Sequence, residues 1–282
     1  MKIVTAVVNN VDFIEIQYYT LKKYFKGEYE FIVFNDAKDF PDFTNDGDVT
    51  IKNKIEILCS KLNIKCINLP NDSHKLIKTP STRTANSMNY ILNYQIQNPD
   101  KYLLLDSDMF LVDYFDVNKY SNYDCAVVLQ SRNNYKTHYF WNGIYYFDML
   151  KMTNIDTLNW NCCAGCDTGG MTQKWLLSQM ENNLMPNTDE IRWSNKGFHT
   201  KNIYFIKHLW SCSWNKSELP EGLRNNIKLV EFFESDIRNE NNKIFCEIYD
   251  DVFLHYRAGG NWRGEGLHLH KKITQQLKEA LI

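Results

Sequence analysis

The sequence predicts an α/β fold built on a mixed, mainly parallel central sheet flanked by helices, and three observations carry that prediction. Short apolar runs alternate with segments of helical periodicity through the first half of the chain. The run Tyr102–Leu105 is uniformly apolar, as a strand buried on both faces is. No linker, repeat or low-complexity tract separates the two halves, so residues 1–282 read as a single domain whose second half extends the sheet begun by the first.

In order, residues 2–8 read as the first strand, and 12–25 carry apolar positions at helical spacing. Gly27 ends that helix, and Tyr29 to Phe34 form the second strand. Residues 51–62 read as a helix and 65–69 as a third short strand. Thr79-Pro80-Ser81-Thr82 opens a helix through Gln97, with proline where its missing N–H does no harm. Residues 102–105 are the fourth strand. In the less regular second half, 125–129 and 143–147 read as strands and 172–182 as a helix. Residues 183–200 are polar and loop-like, 203–206 and 252–255 return as strands, and 271–281 close the fold as an amphipathic helix.

Composition narrows the function classes. The chain has 282 residues, of which 44% are hydrophobic and 14% aromatic, and its formal net charge is -2. That length and apolar content support a full core and exclude intrinsic disorder. The near-neutral charge argues against nucleic acid, which calls for a basic face. No apolar run approaches the ~20 residues of a membrane span. The opening stretch Ile3–Val8 is too short for a signal-peptide core, so a cytoplasmic location is expected, the host cytosol if the chain is viral. The eight cysteines then read as thiols; Cys162, Cys163 and Cys166 lack the second pair a structural zinc site requires.

The segment with the clearest chemistry is Lys101-Tyr-Leu-Leu-Leu-Asp106-Ser107-Asp108. Two carboxylates at i and i+2 point the same way on extended backbone. They follow a buried parallel strand, whose carboxyl end is where open α/β sheets bind ligands. Converging carboxylates repel unless a cation lies between them, and oxygen donors of this kind suit Mn²⁺ or Mg²⁺ with phosphate oxygens and water completing the shell. The alternative is a surface turn capped by Asp and Ser.

A strand ending in Asp-x-Asp, well beyond an N-terminal strand, resembles the nucleotide-sugar-dependent glycosyltransferases of the GT-A fold. Three further segments share the resemblance, which spans nearly the whole chain. Trp141-Asn142-Gly143-Ile-Tyr-Tyr-Phe-Asp148 resembles the strand whose Asn-Gly start faces donor and acceptor. Gly165-Cys166-Asp167-Thr168-Gly169-Gly170 resembles the following loop, where an acidic residue lies near the transferred sugar. Phe253-Leu254-His255-Tyr256-Arg257-Ala258-Gly259-Gly260-Asn261-Trp262 resembles the C-terminal segment whose histidine supplies a further metal ligand. The best-known form of that last motif has Lys before its terminal Trp; Asn261 stands there in this chain, leaving Arg257 or Arg263 for the phosphate contact.

The resemblance implies a nucleotide-binding half over 1–112 and an acceptor-binding half over 113–282. It implies transfer of a sugar from a nucleoside-diphosphate donor, with a UDP-sugar favoured, to a hydroxyl on a glycan or protein. Asp106, Asp108 and His255 would hold Mn²⁺ or Mg²⁺. Thr5, Ala6, Val7, Asp36, Arg83, Ser107, Asn142, Gly143, Gly259 and Gly260 would meet the donor, and Asp189, Trp193 and Trp262 the acceptor. Asp167 is the first candidate for a base or sugar-facing carboxylate, with Asp189 and Glu190 behind it; Arg257 would face the leaving diphosphate. The metal-ligand histidine leans towards retention of configuration.

The residues read by themselves agree. Seven of the 12 glycines fall within 165–170 and 259–266, where backbone can approach a ligand and successive N–H groups can cradle phosphates. Two tight turns and a packing histidine are the plainer account. Two rival functions remain. A sugar-phosphate nucleotidyltransferase would open with a glycine-rich loop after the first strand, where this chain has no glycine before Gly27. A non-catalytic carbohydrate-binding protein on the same fold has less use for the Asp-x-Asp, the glycines and His255 together.

Overall fold

The computed structural model describes residues 1–180, 187–188, 198–200, 202–260, 264 and 266–282. Its first half alternates strand and helix as the periodicity requires. β1 (Lys2–Val7) leads to α1 (Val11–Tyr24), whose first turn is capped by the Asn10 side chain accepting the Asp12 N–H. The helix stops before the predicted end because Phe25 turns extended and enters β2 (Phe25–Lys26). β3 (Glu30–Asn35), α2 (Ile51–Leu62), β4 (Lys65–Asn68), α3 (Pro80–Gln97) and β5 (Lys101–Leu105) follow. After β5 the chain makes β6 (Met109–Leu111), β7 (Phe115–Asp116), β8 (Cys125–Arg132) and the long β9 (Thr137–Asp148), then α4 (Gln173–Gln179). The remaining strands are β10 (Phe198–His199), β11 (Ile203–Phe205), β12 (His208–Leu209), β13 (Glu247–Tyr249) and β14 (Phe253–His255). Helices α5 (Glu221–Arg224) and α6 (Ile227–Ser235) precede β13, and α7 (Gly266–Leu281) follows β14.

Eight strands form one mixed sheet in the order β10-β11-β8-β9-β5-β1-β3-β4. β1 lies parallel to both β3 and β5, β3 to β4, and β8 to β11. The long β9 runs antiparallel to β5 and β8 and joins the second half to the first. Side chains alternate to two apolar layers. Ile3, Val7, Val33, Leu103 and Leu105 pack with α1 and α2 residues on one face; Val4, Ile32, Phe34, Tyr102 and Leu104 meet α3 and α4 residues on the other. This is why these strands read as continuous apolar runs.

A second sheet, β12-β13-β14-β6, is antiparallel throughout. Its core joins Phe110, Leu254 and Tyr256 to Phe13 and Ile16 of α1 and to Ile273 and Leu277 of α7. Helix α1 therefore packs on both sheets. The chain passes from the large sheet to the small one between β5 and β6, which is the segment Asp106-Ser107-Asp108. Among the described residues no helix is long and apolar enough to cross a membrane. Most of the expected polar loop 183–200 lies outside the described residues.

Candidate functional site

The large sheet changes direction of winding at β1 and β5, and a crevice outside the carboxyl ends of strands at such a point is a general ligand position. Here it is a cavity of about 390 Å³. Ala6, Val8 and Asn9 beyond β1, Asp36 beyond β3, the start of α3, and Asp106, Ser107 and Asp108 beyond β5 form its floor and one wall. Trp141, Asn142, Asp167, Thr168, His255 and the Ala258–Gly260 backbone form the other.

The Asp106–Asp108 turn is held from several sides. The Asp106 N–H donates to the Gly143 carbonyl at 2.7 Å. The buried Gln17 amide donates to the carbonyls of Asp106 (2.7 Å) and Met109 (3.0 Å), tying both ends of the turn to α1. Asp108 Oδ2 accepts the Gly259 N–H at 2.8 Å, and the Asp108 carbonyl accepts the Tyr256 N–H at 2.8 Å. Gly259 has to be glycine at this approach, because a Cβ there would lie 2.5 Å from the Phe13 ring and 2.7 Å from Asp108 Cβ.

His255 reaches the same point from β14, whose register sets it opposite Met109 of β6. Its Nε2 lies 3.2 Å from Asp108 Oδ1, and its Nδ1 lies 2.8 Å from Glu247 Oε2 on the neighbouring strand. One ligand atom from each of Asp106, Asp108 and His255 falls within 4.8 Å of the others, and among the described residues they are the one group of three such side chains that close. The three cysteines Cys162, Cys163 and Cys166 make no such group; burial pushes the Cys166 thiol up to about 11, with its neighbour Cys163 adding to the effect.

Three carboxylates meet one imidazole here. Burial, and then Asp108, push the Asp106 carboxyl up to about 7. Burial would raise Asp108 as well, but His255 and the Gly259 N–H outweigh it and hold that carboxyl low. Burial also works against a charged His255, yet Asp108 and Glu247 overcome it and push the ring up to about 10. Glu247 is held low in return: burial would raise it, and the His255 and Tyr249 hydrogen bonds prevail. A proton is thus retained where negative charge is in excess, and a divalent cation satisfies the same excess. Two carboxylates and a neutral imidazole, with room in the cavity for phosphate oxygens, are a donor set that fits Mn²⁺ or Mg²⁺.

The sequence-derived candidates divide clearly. Ala6, Asp36, Ser107, Asn142, Asp167, Gly259 and Gly260 all line the cavity with the three ligand candidates. Thr5 and Val7 alternate away from it and are fully buried, Val7 within the α1 layer. Gly143 lies beneath the Trp141 ring, where a Cβ would come within 2.1 Å of ring carbon. Arg83, expected at the nucleotide, does not line the cavity: its guanidinium pairs bidentately with Asp42 at 2.7 and 3.0 Å and donates to the Ile77 and His74 carbonyls. Arg257, expected at the diphosphate, instead donates to Ser211 Oγ at 2.5 Å, with its Nε 3.9 Å from Glu247. Asp189, Glu190, Trp193, Asn261, Trp262 and Arg263 lie outside the described residues.

Further contacts hold the walls in place. Asp36 is engaged by Lys38 (2.7 Å), Ser87 (2.8 Å) and Asn71 (3.0 Å). Trp141 stacks on Tyr249 with ring centres 4.9 Å apart and packs at a tilt against His255 at 5.1 Å. Glu247 had one signal in the sequence, a single carboxylate within the otherwise apolar run Ile244–Tyr249, which marks a buried charge in need of a partner.

No protein-family profile matches the chain, and no curated protein matches it. Among solved structures it is similar to the galactosyltransferase LgtC in complex with donor and acceptor sugar analogs, at 11% identity over 67% of this chain and 68% of that one, with a TM-score of 0.37. It is also similar to an active-site mutant of LgtC, at 14% identity over 54% of this chain, again with a TM-score of 0.37. The chain spans 58% of the length of that second structure, so the two coincide over little more than half of each.

Proposed function

We propose that this chain is a metal-dependent glycosyltransferase of the GT-A type, transferring a sugar from a nucleoside diphosphate, UDP by preference, to an acceptor hydroxyl on a glycan or protein. The observation that carries the reading is the convergence of Asp106, Asp108 and His255 at the mouth of a cavity that begins beyond β1 and β3. The same cavity extends from that cluster past Asn142, Asp167 and Thr168 on one side and Ala6 and Asp36 on the other, room for a nucleotide joined to a sugar through two phosphates.

Asp106, Asp108 and His255 would hold Mn²⁺ or Mg²⁺, which when bound supplies positive charge to the departing diphosphate. The chain's own residues do the rest. Ala6 and Asp36 bound the nucleoside end, and the Gly259 and Gly260 backbone lies close enough for phosphate approach because neither carries a side chain. Asp167 stands on the opposite wall with its Oδ1 accepting the Thr168 N–H at 2.8 Å, a bond that fixes the carboxylate's orientation. There it serves as base to the acceptor hydroxyl or as a carboxylate beside the transferred sugar.

The test is a thermal-shift panel of UDP-, GDP- and TDP-sugars with and without Mn²⁺, on wild type and on Asp108→Asn. A metal-dependent shift with one base, absent in the variant, is the expected result. No shift with any donor in folded protein would sink the reading and favour sugar binding without catalysis. Asp167→Asn retaining near-full transfer would remove that residue from the chemistry.

A further inference from the structure

We infer that Glu247 is a positioning residue that sets His255 as a metal ligand, an inference that rests on the metal-dependent reading above. Three adjacent strands put the groups in a row. Glu247 of β13 is paired directly with His255 of β14, and His255 with Met109 of β6, next to Asp108. Across that row Glu247 Oε2 meets Nδ1 at 2.8 Å and Asp108 Oδ1 meets Nε2 at 3.2 Å.

A neutral imidazole has one N–H, and a carboxylate only accepts. With Glu247 taking the Nδ1–H, the Nε2 lone pair faces the carboxylates of the Asp106–Asp108 turn; the other tautomer would turn its N–H towards them and could not ligate. Glu247 is itself fixed. The Tyr249 hydroxyl donates to Oε2 at 2.8 Å and the Ser211 N–H to Oε1 at 3.2 Å. Its side chain is only 3% exposed, so it does not exchange these partners for water. The Trp141 ring packs against His255 at a tilt, with ring centres 5.1 Å apart. The imidazole is held by its hydrogen bond and its aromatic neighbour before any cation arrives, and when a cation displaces the Nε2 proton Glu247 keeps the remaining proton on Nδ1, the arrangement that makes a metal-bound histidine a stronger ligand.

The experiment measures Mn²⁺ binding in the presence of UDP by calorimetry, and nitrogen coupling to the bound ion by pulsed electron paramagnetic resonance. Wild type is read first: absence of Mn²⁺ binding there overturns the metal-dependent reading and this inference with it, whereas binding isolates the question of Glu247. Glu247→Ala is then expected to weaken Mn²⁺ by about ten- to a hundred-fold and to lose the nitrogen coupling, as His255→Ala does. Glu247→Gln keeps an acceptor for Nδ1–H in its amide oxygen, so its coupling persists and its affinity falls less. Glu247→Ala that is folded and binds Mn²⁺ as tightly as wild type, with undiminished coupling, overturns the inference. Should Glu247→Ala fail to fold, Glu247→Gln and Tyr249→Phe decide: both indistinguishable from wild type in affinity and coupling also overturn it.

Discussion

Two buried polar clusters border the same cavity and are built on opposite charge accounts. In the first, the Asp36 and Asp42 carboxylates are matched by Lys38 and Arg83, each pair at 2.7 Å. In the second, Asp106, Asp108 and Glu247 share His255, with only the part-exposed Arg257 nearby, 3.9 Å from Glu247. The first cluster is complete without a ligand and acts as framework for the loops beyond β3 and before α3. The second is short of positive charge. A balanced buried network holds a wall in place, whereas an unbalanced one marks where something else has to bind.

Removing one charge from each cluster should therefore act in different ways. Arg83→Met strands Asp42 and is expected to destabilise the fold by about 3–5 kcal/mol in chemical denaturation, with Asp42→Asn on the same chain recovering much of the loss. Asp106→Asn relieves like-charge repulsion, so the metal-free protein should be no less stable than wild type. What it should lose is the stabilisation by Mn²⁺ with nucleotide, about 2.7 kcal/mol at a hundred times Kd. Equal destabilisation by the two substitutions in metal-free protein would break the contrast.

The two clusters should also respond to pH differently: Asp108 and Glu247 of the second are held low like Asp42, whereas its Asp106 and His255 carry the opposite sign. Burial alone would raise Asp42, but Arg83 and Thr44 hold it well below the usual carboxylate range. Its contribution is present above the unfolded value of about 4 and is lost as pH falls through the folded one. At the other cluster Asp106 is raised to about 7 and His255 to about 10. Their contributions are full below the unfolded values, about 4 and 6.5 respectively, and are lost as pH rises through the folded ones. Metal-free protein should accordingly lose stability at this site between pH 6 and 9, and added Mn²⁺ should raise Tm more at pH 9 than at pH 6. A Mn²⁺ effect independent of pH in that window would count against the assignment.

Glycines at the rim sharpen the comparison at smaller scale. Gly259→Ala drives a methyl into Phe13 and Asp108 and should destabilise by about 1–3 kcal/mol while weakening Mn²⁺. At Gly260 nothing lies within 4 Å of a Cβ, so Gly260→Ala should change stability by no more than about 0.5 kcal/mol. Melts of the two variants, run side by side, test whether tight packing at the rim belongs to the Asp108 end alone.

The first half of the fold was legible because β1, β3 and β5 are buried on both faces and so carry unbroken apolar runs. The unbalanced cluster was legible in part: Asp106 and Asp108 announce themselves as acids at the end of such a strand, and His255 stands at the end of another. Glu247 was not found, since its pairing to His255 depends on the β13–β14 register and no local motif records it. Nor did sequence show β6 or α6, the one too short for a periodic signal and the other carrying its buried Leu229, Val230, Phe232 and Phe233 in a single short stretch. Arg83 misled for a physical reason. A lone arginine at a helix start looks free to meet an anion, and the aspartate that consumes it lies 41 residues away in sequence.

The way β6 joins β14 has a consequence in time as well as in space. The Asp106–Asp108 turn leaves the ribosome long before His255 and Glu247, and β6 has no partner in the small sheet until β14 pairs with it. A nascent chain that has emerged only as far as β12 already holds the large sheet's β1, β3 and β5 and both acidic side chains of the turn. It lacks the strands that bring in the imidazole and its supporting carboxylate. Since synthesis delivers the N-terminal elements first, the floor and first wall of the cavity are available early, and the other wall, with His255 and the Ala258–Gly260 backbone, is completed last. Products truncated before β14 would carry Asp106 and Asp108 without His255 or the core residues Leu254, Ile273 and Leu277.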